Sequence, residues 1–331
     1  MSLSPMFTTA PAAAEIFRSL GDPTRLRILA LLRAMELSVG ELAQVLGQSQ
    51  PRVSRHVRIL IEAGLVERRK EGSWVFLSLA EPARVEPLFA ALERWAELDG
   101  EDPWASADAA RLAAVRADRA AAAERYFAAH AGDWDEIRSL HIAESEVEAA
   151  CARALGAGEG ARPVGRLVDI GTGTGRMLEL FGPAAERAIG VDRSPEMLRL
   201  ARVKLSQAGL AAAELRQGDM YALPLAAGSA DTVILHQVLH YAQQPAAAVA
   251  EVARLLAPGG RLLIVDFAAH EREELRSRDA HVRLGFSDEA VLRMLDEAGL
   301  EGRVVEHLEG GELTVTIWLG IRPQVRLKVA V

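Results

Sequence analysis

The sequence predicts a multidomain chain: an α+β domain, then a helical linker, then an α/β doubly wound domain that ends in an antiparallel hairpin. Three observations predict this organisation. Apolar residues follow helical spacing to about residue 63 and then mark two short strands. Beyond residue 165 strands and helices alternate, as they do around a parallel sheet. The length of 331 residues suits about two domains.

Composition restricts the class of protein. The chain is 50% hydrophobic and 25% charged, which is typical of a folded globular protein. No apolar run reaches the roughly 18 residues of a membrane span, and the first residues do not resemble a secretory signal. The only cysteine, Cys151, excludes an internal disulfide framework and a cysteine-rich zinc site. We therefore expect a cytoplasmic protein.

The net charge of −8 is unevenly distributed. Residues 1–80 carry 10 Lys and Arg against 7 Asp and Glu, whereas the remainder carries 28 against 39. A basic segment on an otherwise acidic chain indicates that only this segment meets a polyanion.

The first helices have clear start signals. Asp22 before Pro23 is a typical N-cap and first-turn pair, and the helix that follows has a broad leucine-rich face. Ser38, with Glu41 three residues later, forms a capping box. It predicts a short helix over 41–46, ended by Gly47.

A tight turn then leads to a helix with a basic outer face. Pro51 suits a first helical turn, while Val53, Val57, Leu60 and Ile61 follow i, i+4, i+7, i+8 spacing and face inward. The charged side chains expected on the other faces are Arg52, Arg55, His56 and Arg58. A short helix, a tight turn and a basic helix form the helix-turn-helix arrangement.

Two strands over 65–69 and 74–79, around a turn at 70–73, predict a wing. Arg68, Arg69 and Lys70 near its tip suit phosphate contacts. The residues expected near base edges or phosphates from the basic helix are Ser49, Gln50, Arg52, Ser54 and Arg55. A solvated amphipathic helix beside a hairpin explains any one arginine equally well, but it does not explain the whole set.

The segments 20–29, 41–60 and 62–79 resemble the ArsR/SmtB family of bacterial repressors. The resemblance covers about residues 12–97 and includes a helix over 85–98 that helps form the dimer in that family. It implies a homodimer that binds a palindromic operator in double-stranded DNA. A small-molecule signal is then needed to control the binding.

Metal sensing is not expected from this resemblance. Arsenic sensors of the family carry two cysteines in the stretch matching 36–42, where this chain has Ser38 and Gly40. The helix over 85–98 contains no histidine that could serve the zinc site of other members. The signal must therefore come from elsewhere in the chain.

Residues 99–155 predict a helical linker. Its first helix, over 106–130 with Ser106 as N-cap, is rich in alanine and has few large apolar residues, which is typical of a spacer. A second helix is expected over 144–155. Packing explains Tyr126 and Trp134, and the alternative is a helical lid over a cofactor. The predicted domains are 1–98, 99–155 and 156–322, followed by a tail at 323–331.

Glycines follow the first strand of the α/β domain. The strand over 166–170 contains Asp169 and leads into the loop Gly171-Thr172-Gly173-Thr174-Gly175, where a helix begins. Glycines at such a turn let the backbone approach a ligand closely. A fourth strand over 232–235 leads to His236, and a fifth covers 261–266.

Two carboxylates follow the next strands. The strand over 187–191 ends in Asp192, which can accept both hydroxyls of a ribose. The strand over 213–217 ends at Gly218, Asp219 and Met220, where the carboxylate can accept an amino group and the methionine can pack on a ring. These residues share the carboxyl edge of the predicted sheet, where such folds bind ligands. After a helix over 288–298, runs at 302–307 and 312–321 around Gly310-Gly311 predict the terminal hairpin.

The segments 167–181, 188–202, 216–225 and 255–267 resemble the Rossmann-like S-adenosylmethionine-dependent methyltransferases, over about residues 126–322. The resemblance implies that the cofactor is S-adenosylmethionine or S-adenosylhomocysteine. The residues expected to bind it are Asp169, Gly171, Thr172, Gly173, Gly175, Asp192, Arg193, Asp219, Met220 and His236. A nicotinamide dehydrogenase is the rival, but its loop has GxGxxG spacing, whereas this loop has GxGxG.

Catalysis is a separate question from cofactor binding. Methyl transfer needs an aligned nucleophile and often a general base. His236 and His270 are the candidates for that base, with His240 and Tyr241 as further ones. Each has an equally good structural explanation: His240 and Tyr241 can cap and pack a helix, and His270 can be solvated. No Asn-Pro-Pro-Tyr string supports methylation of an amino group of adenine or glutamine, and one cysteine cannot supply the thiols for arsenite methylation.

The two-part chain resembles ArsR-type regulators that sense S-adenosylhomocysteine and control methionine-cycle genes. That resemblance implies a repressor whose operator affinity depends on the bound form of the cofactor. The alternatives are an active methyltransferase of a small-molecule acceptor that regulates its own operon, and a chain whose DNA-binding module is vestigial.

Overall fold

The computed structural model describes residues 10–71, 74–99, 104–130, 143–156, 163–309 and 312–324. The chain divides into two compact units, Met1–Ala121 and Ala122–Val331. The described residues do not include Trp134, the two wing-tip residues 72–73 or Gly310-Gly311. Within those ranges, no helix is long and apolar enough to cross a membrane.

The first unit combines helices with a three-stranded antiparallel sheet in the order β1-β3-β2. Its elements are α1 (Ala10–Leu20), α2 (Pro23–Ala34), β1 (Leu37–Ser38), α3 (Val39–Leu46), α4 (Gln50–Glu62), β2 (Val66–Glu71), β3 (Trp74–Leu79), α5 (Pro82–Asp99) and the beginning of α6 (Ala105–His130). This is the predicted winged helix-turn-helix, with α3 and α4 as its helix pair.

Local capping sets where these helices begin and end. Asp22 accepts the N–H of Thr24 at the start of α2. Ser38 and Glu41 form the predicted capping box, and Gly47 ends α3 at a φ of +66°. Because Ser38 is itself the N-cap, α3 begins at Val39, two residues before the predicted start.

The inner face of α4 is one residue wider than predicted. Val53, Val57 and Leu60 are fully buried, as expected. His56 was predicted on an outer face but is only 9% exposed, which corrects that prediction. Position 56 lies three residues after Val53 and four before Leu60, so the helix places it on the same buried face.

The beginning of α6 belongs to the winged-helix core. Leu112 and Val115 are buried in the same apolar cluster as the side chains of α2, α3 and α4. Asp108 is buried beside them. The composition of this helix predicted a spacer because large apolar residues are few, but two of those few reach the core.

The second unit is built on a seven-stranded sheet in the order β6-β5-β4-β7-β8-β10-β9. Its elements are α7 (Glu144–Ala154), β4 (Gly165–Ile170), α8 (Arg176–Phe181), β5 (Ala185–Asp192), α9 (Pro195–Gln207), β6 (Glu214–Gln217), β7 (Ala230–His236), α10 (Pro245–Leu255), β8 (Leu256–Phe267), α11 (Glu274–Arg278), α12 (Asp288–Glu297), β9 (Glu301–Leu308) and β10 (Val315–Ile321). Short 3-10 turns lie at Gly182–Ala184 and Leu239–Tyr241.

The direction of the strands positions the site. Strands β4 to β8 pair in parallel, and β10 is antiparallel to both of its neighbours, which confirms the predicted edge hairpin. The strand order reverses at β4, whose neighbours are β5 and β7. A doubly wound sheet opens a crevice at that point, beyond the carboxyl ends of its strands.

β8 begins earlier than the sequence predicted. It starts at Leu256, so Pro258-Gly259-Gly260 lies within the strand instead of preceding it. The backbone N–H of Gly259 donates to the carbonyl of Arg322, and the N–H of Arg322 donates to the carbonyl of Gly260. Pairing with the chain that follows β10 therefore extends the strand through this segment.

Candidate cofactor site and nucleic-acid interface

The glycine-rich loop lies across the ends of β4 and β5. The carbonyl of Val191 accepts the N–H groups of Gly171 at 2.8 Å and Thr172 at 3.1 Å. Asp169 is buried and accepts the hydroxyl of Thr172 at 2.6 Å, so it supports the loop from the strand. Gly173 and Gly175 have positive φ angles of 53° and 89°.

Gly171 admits no side chain. Its φ is +69°, and a Cβ at this position would lie 2.3 Å from Cγ2 of Val238. Real Cβ atoms do not come so close to another carbon, and a left-handed φ already favours glycine. The loop after β4 therefore contacts the segment that follows β7.

Asp192 joins the glycine-rich loop to the ends of β5 and β6. Its Oδ2 accepts the N–H of Gly173 and its Oδ1 accepts the N–H of Ser194, both at 2.8 Å. Its carbonyl accepts the N–H of Gly218 at 3.0 Å. Burial raises the pKa of Asp192, although these backbone donors oppose the shift. The sequence predicted its position at the sheet edge but not its contact with Gly173.

The loop after β6 carries the predicted adenine contacts. Asp219 is exposed and accepts the N–H of Tyr221 at 3.1 Å, while Met220 is half-buried against the core. Arg193, after β5, is exposed. Sequence reasoning missed Tyr221, whose hydroxyl accepts the N–H groups of Gln243 at 2.8 Å and Gln244 at 3.1 Å.

Tyr221 keeps its proton at neutral pH. Burial raises the pKa of its hydroxyl, although the two backbone donors oppose this effect. The neutral hydroxyl therefore links the loop after β6 to the segment just before α10.

A histidine and a carboxylate pair at the ends of β7 and β8. His240 Nδ1 lies 2.8 Å from Asp266 Oδ1, and the N–H of His240 donates to Asp266 Oδ2 at 3.1 Å. The N–H of Phe267 donates to Asp266 Oδ1 at 2.8 Å. His240 was one of the weighed candidates, but Asp266 was missed, because only the fold brings it to residue 240.

The two predicted catalytic histidines differ from this pair. His236 is buried at the last position of β7. His270 Nδ1 accepts the N–H of Arg272 at 3.2 Å, so its neutral ring carries the proton on Nε2. In this tautomer the lone pair of Nδ1 is used within the chain.

The basic helix α4 presents most of its predicted polar residues to solvent. Ser49 is the N-cap residue, and Ser54 is half-buried. The exposed members of the set are Ser49, Gln50, Arg52, Arg55 and Arg58. Among the residues that the structure describes, none forms an ion pair with Arg52, Arg55 or Arg58. Unpaired exposed guanidinium groups are suited to phosphates and base edges.

The wing contributes a second basic segment. Arg68 is exposed on β2 opposite Leu77. Arg69 and Lys70 follow it in the same strand, and their side chains lie outside the described residues.

His56 faces the N-cap of α2 instead of solvent. Its Nδ1 lies 3.9 Å from Asp22 Oδ1. Burial lowers the pKa of His56, although Asp22 opposes the shift. Burial works to raise the pKa of Asp22, but the N–H of Thr24 and the neighbouring His56 outweigh it, so the net shift is downward.

Two family models match this chain, each over one domain. Residues 22–68 match the family described as bacterial regulatory protein, arsR family. Residues 168–264 match the family described as methyltransferase domain. The two matches fall on the helix-turn-helix and on the sheet that carries the glycine-rich loop.

Regulators match the N-terminal domain. The chain is 46% identical over 70 residues to the uncharacterized HTH-type transcriptional regulator MJ1325 of Methanocaldococcus jannaschii, covering 21% of this chain and 79% of that protein. It is 39% identical over 101 residues to the arsenic resistance transcriptional regulator ArsR1 of Pseudomonas putida, covering 30% of this chain and 75% of that protein.

A methyltransferase matches the second domain. The chain is 35% identical over 106 residues, 32% of its length, to the uncharacterized methyltransferase YcgJ of Bacillus subtilis, and it spans only 42% of that protein in the match. The solved structure of YcgJ is 21% identical and covers 55% of this chain and 100% of that chain, with a TM-score of 0.48.

Proposed function

This chain belongs, through its N-terminal domain, to the arsR family of bacterial regulatory proteins, and on that premise we propose that its methyltransferase domain supplies the regulatory signal. In this proposal the chain is a transcriptional repressor of the cytoplasm. S-adenosylmethionine or S-adenosylhomocysteine is the effector, and the bound form sets the affinity for an operator in methyl-cycle or methionine genes.

The cysteine content favours an effector other than arsenic. The stretch that carries the thiols of arsenic sensors has Ser38 and Gly40 here, and Ser38 is used as the N-cap of α3. The single cysteine, Cys151, is buried in the second unit, and burial raises the pKa of its thiol to about 12. A thiol with such a pKa is a poor ligand for a soft metal at neutral pH.

The carboxyl edge of the sheet fits an S-adenosyl cofactor. The loop Gly171–Gly175, Asp192 and Asp219 lie at neighbouring strand ends, joined by the backbone hydrogen bonds of Val191 and Asp192. Carboxylates suit a ribose diol and an amino group, and Met220 supplies an apolar contact for a ring. When bound, S-adenosylmethionine supplies an electrophilic methyl group. The observation that carries the proposal is this hydrogen-bonded edge in a chain that also has a recognition helix with exposed arginines.

In this proposal, helix α6 carries the signal between the two activities. Its first part, through residue 121, belongs to the first unit, and the helix continues to His130 in the second. Arg111 donates to the carbonyl of Val45 in α3, and Arg116 donates to the carbonyl of Ala34 in α2. We propose that cofactor binding alters α6 and, through these two contacts, the helix-turn-helix. A coupling of roughly 1–3 kcal/mol, or about 5–150-fold in affinity, is sufficient.

A homodimer is part of the proposal. Phe17 on α1 is 65% exposed and Trp95 on α5 is 51% exposed, although both are large and apolar. Such side chains favour burial against a second copy, and a two-fold dimer matches a palindromic operator. Light scattering of wild type and of Trp95→Glu tests this, because the charged variant should be monomeric.

The deciding experiment measures DNA affinity against cofactor form. A duplex is first selected from a random library with the full chain, and its affinity is then titrated with apo protein, with S-adenosylmethionine and with S-adenosylhomocysteine. We expect at least a fivefold difference between two of these states. Equal affinity in all three would contradict an effector role, and the absence of salt-dependent binding would indicate a vestigial DNA-binding module.

An active methyltransferase that regulates its own operon is the second candidate. The pairing of His240 with Asp266 favours it, because a cofactor sensor has no need of an oriented imidazole. Transfer of a labelled methyl group from S-adenosylmethionine to small molecules of a cell extract tests it. The two candidates are compatible, since one bound cofactor can serve both.

A further inference from the structure

We propose that His240 and Asp266 form a general base that removes a proton from an aromatic hydroxyl during methyl transfer. The proposal rests on the proposed cofactor site, and it adds a catalytic residue and a class of acceptor. It assigns the role of base to His240, one of the further candidates, instead of His236 or His270.

The first observation is the short contact between Asp266 and one ring nitrogen of His240. Asp266 is fully buried, and with its carboxyl oxygen as acceptor we assign the hydrogen to the nitrogen at 2.8 Å, His240 Nδ1. The two backbone N–H groups that reach the same carboxylate hold it in place. His240 Nε2 therefore presents a lone pair, as the base of a histidine–carboxylate pair does.

The second observation is that this lone pair has no hydrogen-bond partner among the residues that the structure describes. His240 is 2% exposed, and its Nε2 is buried without a donor within reach. A buried acceptor without a donor is unfavourable and calls for an explanation. A hydroxyl proton of a bound acceptor is the group that would satisfy it.

The third observation is the set of rings around the imidazole. Ring centroids of Tyr241, His281 and Phe267 lie 4.0, 4.3 and 5.0 Å from that of His240. These rings pack against the imidazole itself, and an aromatic acceptor that contacts His240 would add one more ring to this cluster. An aromatic hydroxyl also matches the base: the pKa of a phenol is about 10, within reach of an imidazole, whereas an aliphatic alcohol is far less acidic.

The position of His240 relative to the glycine-rich loop supports a single site for the cofactor and the methyl acceptor. His240 lies in the 3-10 turn two residues after Val238, the residue against which Gly171 is packed. Arg283 holds this turn, since its N–H donates to the carbonyl of His240 and its guanidinium to the carbonyls of Ala242 and Gln243. The base is thus fixed beside the loop that the proposed cofactor uses.

Backbone strain is concentrated at the same place. In the described part of the chain, the non-glycine residues with positive φ are Gln237 at +48° and Ala280 at +55°. One lies three residues before His240, and the other directly precedes His281. Strained backbone of this kind persists where the surroundings enforce it, and it often marks functional sites.

The step balances without a further reactant. The acceptor oxygen forms a bond to the methyl carbon of S-adenosylmethionine, the bond between that carbon and the sulfonium sulfur breaks, and its electron pair stays on sulfur. The hydroxyl proton moves to His240 Nε2, and Asp266 stabilises the resulting imidazolium. The products are the aryl methyl ether and S-adenosylhomocysteine.

A spectroscopic test detects which ring nitrogen of His240 carries hydrogen, and it does not require turnover. Long-range proton–nitrogen spectra of the histidine-labelled full chain, saturated with S-adenosylhomocysteine, should show His240 with hydrogen on Nδ1 and none on Nε2 at neutral pH. D266N should change this tautomer ratio, whereas D288N, next to the exposed His307, should leave the His240 signals unchanged. Hydrogen on Nε2 of wild-type His240 would overturn the proposal.

A kinetic test addresses the reaction. Wild type is assayed with labelled S-adenosylmethionine and a library of phenols and catechols, and the best acceptor is then used for the variants. H240Q should lower kcat by about 100-fold or more, and it should abolish the rise of log kcat with pH. Affinity for S-adenosylhomocysteine should stay within threefold, and H307Q should match wild type. If no phenol is methylated, or if H240Q retains kcat and its pH dependence, the proposal is wrong.

The two proposals fail in different ways. A wild-type chain that does not bind S-adenosylhomocysteine by calorimetry contradicts the proposed function itself. A chain that binds it and changes its DNA affinity, yet lacks the tautomer and the pH-dependent turnover, contradicts only the role of His240 and Asp266.

Discussion

Arg27 of α2 and Asp108 of α6 form a buried, two-point ion pair. Both contacts, Arg27 Nε to Asp108 Oδ2 and Arg27 Nη2 to Asp108 Oδ1, measure 2.6 Å. The two side chains are only 10% and 9% exposed. Two parallel hydrogen bonds fix the relative orientation of the two side chains in addition to pairing their charges. This pair therefore sets the position of α6 on the winged helix.

We expect Asp108→Asn to destabilise the first unit by about 3–5 kcal/mol, because it removes the carboxylate charge that pairs with the buried Arg27. Glu93→Gln is the matched control: its pair with Arg33 is exposed, so the loss should stay below about 1 kcal/mol. Denaturant unfolding of the full chain measures both. If the two variants lose the same stability, the pair does not anchor α6.

Gly171→Ala should weaken binding of S-adenosylhomocysteine by at least about tenfold and destabilise the second unit by about 1–3 kcal/mol. The added Cβ would collide with Val238 and would occupy a left-handed φ. Gly209→Ala separates the two effects, since Gly209 has a φ of +77° but nothing within 4 Å of its Cβ position. Calorimetric titration of both variants should show a large loss of affinity only at position 171.

The sequence predicted those features that are encoded locally. The capping box at Ser38, the N-cap at Asp22 and the alternation of strands with helices are short-range signals, and they gave the two domains and the carboxyl edge of the sheet. Gly171 and Asp192 could be predicted for the same reason, because each directly follows its own strand.

The missed features depend on partners that are distant in the chain. Asp108 meets a residue 81 positions away, and Asp266 one that is 26 positions away. No local pattern distinguishes these carboxylates from exposed ones. His56 was misplaced because the apolar spacing of α4 was taken to define the whole inner face, although a polar ring also fits there.

As the pH decreases, the affinity for S-adenosylhomocysteine should begin to fall at a higher pH than it would if Asp192 had the pKa of an ordinary aspartate. The cause is Asp192: burial raises its pKa, and only the carboxylate can accept both ribose hydroxyls in the proposed complex. Calorimetry from about pH 8 to about pH 5 measures this. Asp192→Asn should bind about tenfold more weakly and without that pH dependence, and an unchanged profile in the variant would assign the dependence to another group.

Helix α4 should lose stability as the pH falls below about 6.5, the ordinary pKa of histidine. Burial lowers the pKa of His56, so the folded state binds a proton less readily than the unfolded state. The stability associated with neutral His56 is fully present at a pH above the pKa of this residue in the unfolded state. It is lost as the pH decreases toward its pKa in the folded state. Hydrogen exchange of α4 amides, corrected for intrinsic rates, should reveal it, and His56→Gln should remove it. His307→Gln, at an exposed histidine of the second unit, should leave it intact.

Arg55→Gln should weaken DNA binding and reduce its salt dependence. Arg55 is exposed on α4 and has no acidic partner in the described part of the chain, so a phosphate can be its counter-ion. The slope of log affinity against log salt should fall by about one per protomer if the contact is to phosphate. If the contact is to a base edge, the slope should stay nearly constant and the variant should lose about 1–3 kcal/mol of discrimination against altered operators. Arg202→Gln, at an exposed arginine of α9, is the control and should match wild type. Equal binding by all three proteins would remove α4 from the interface.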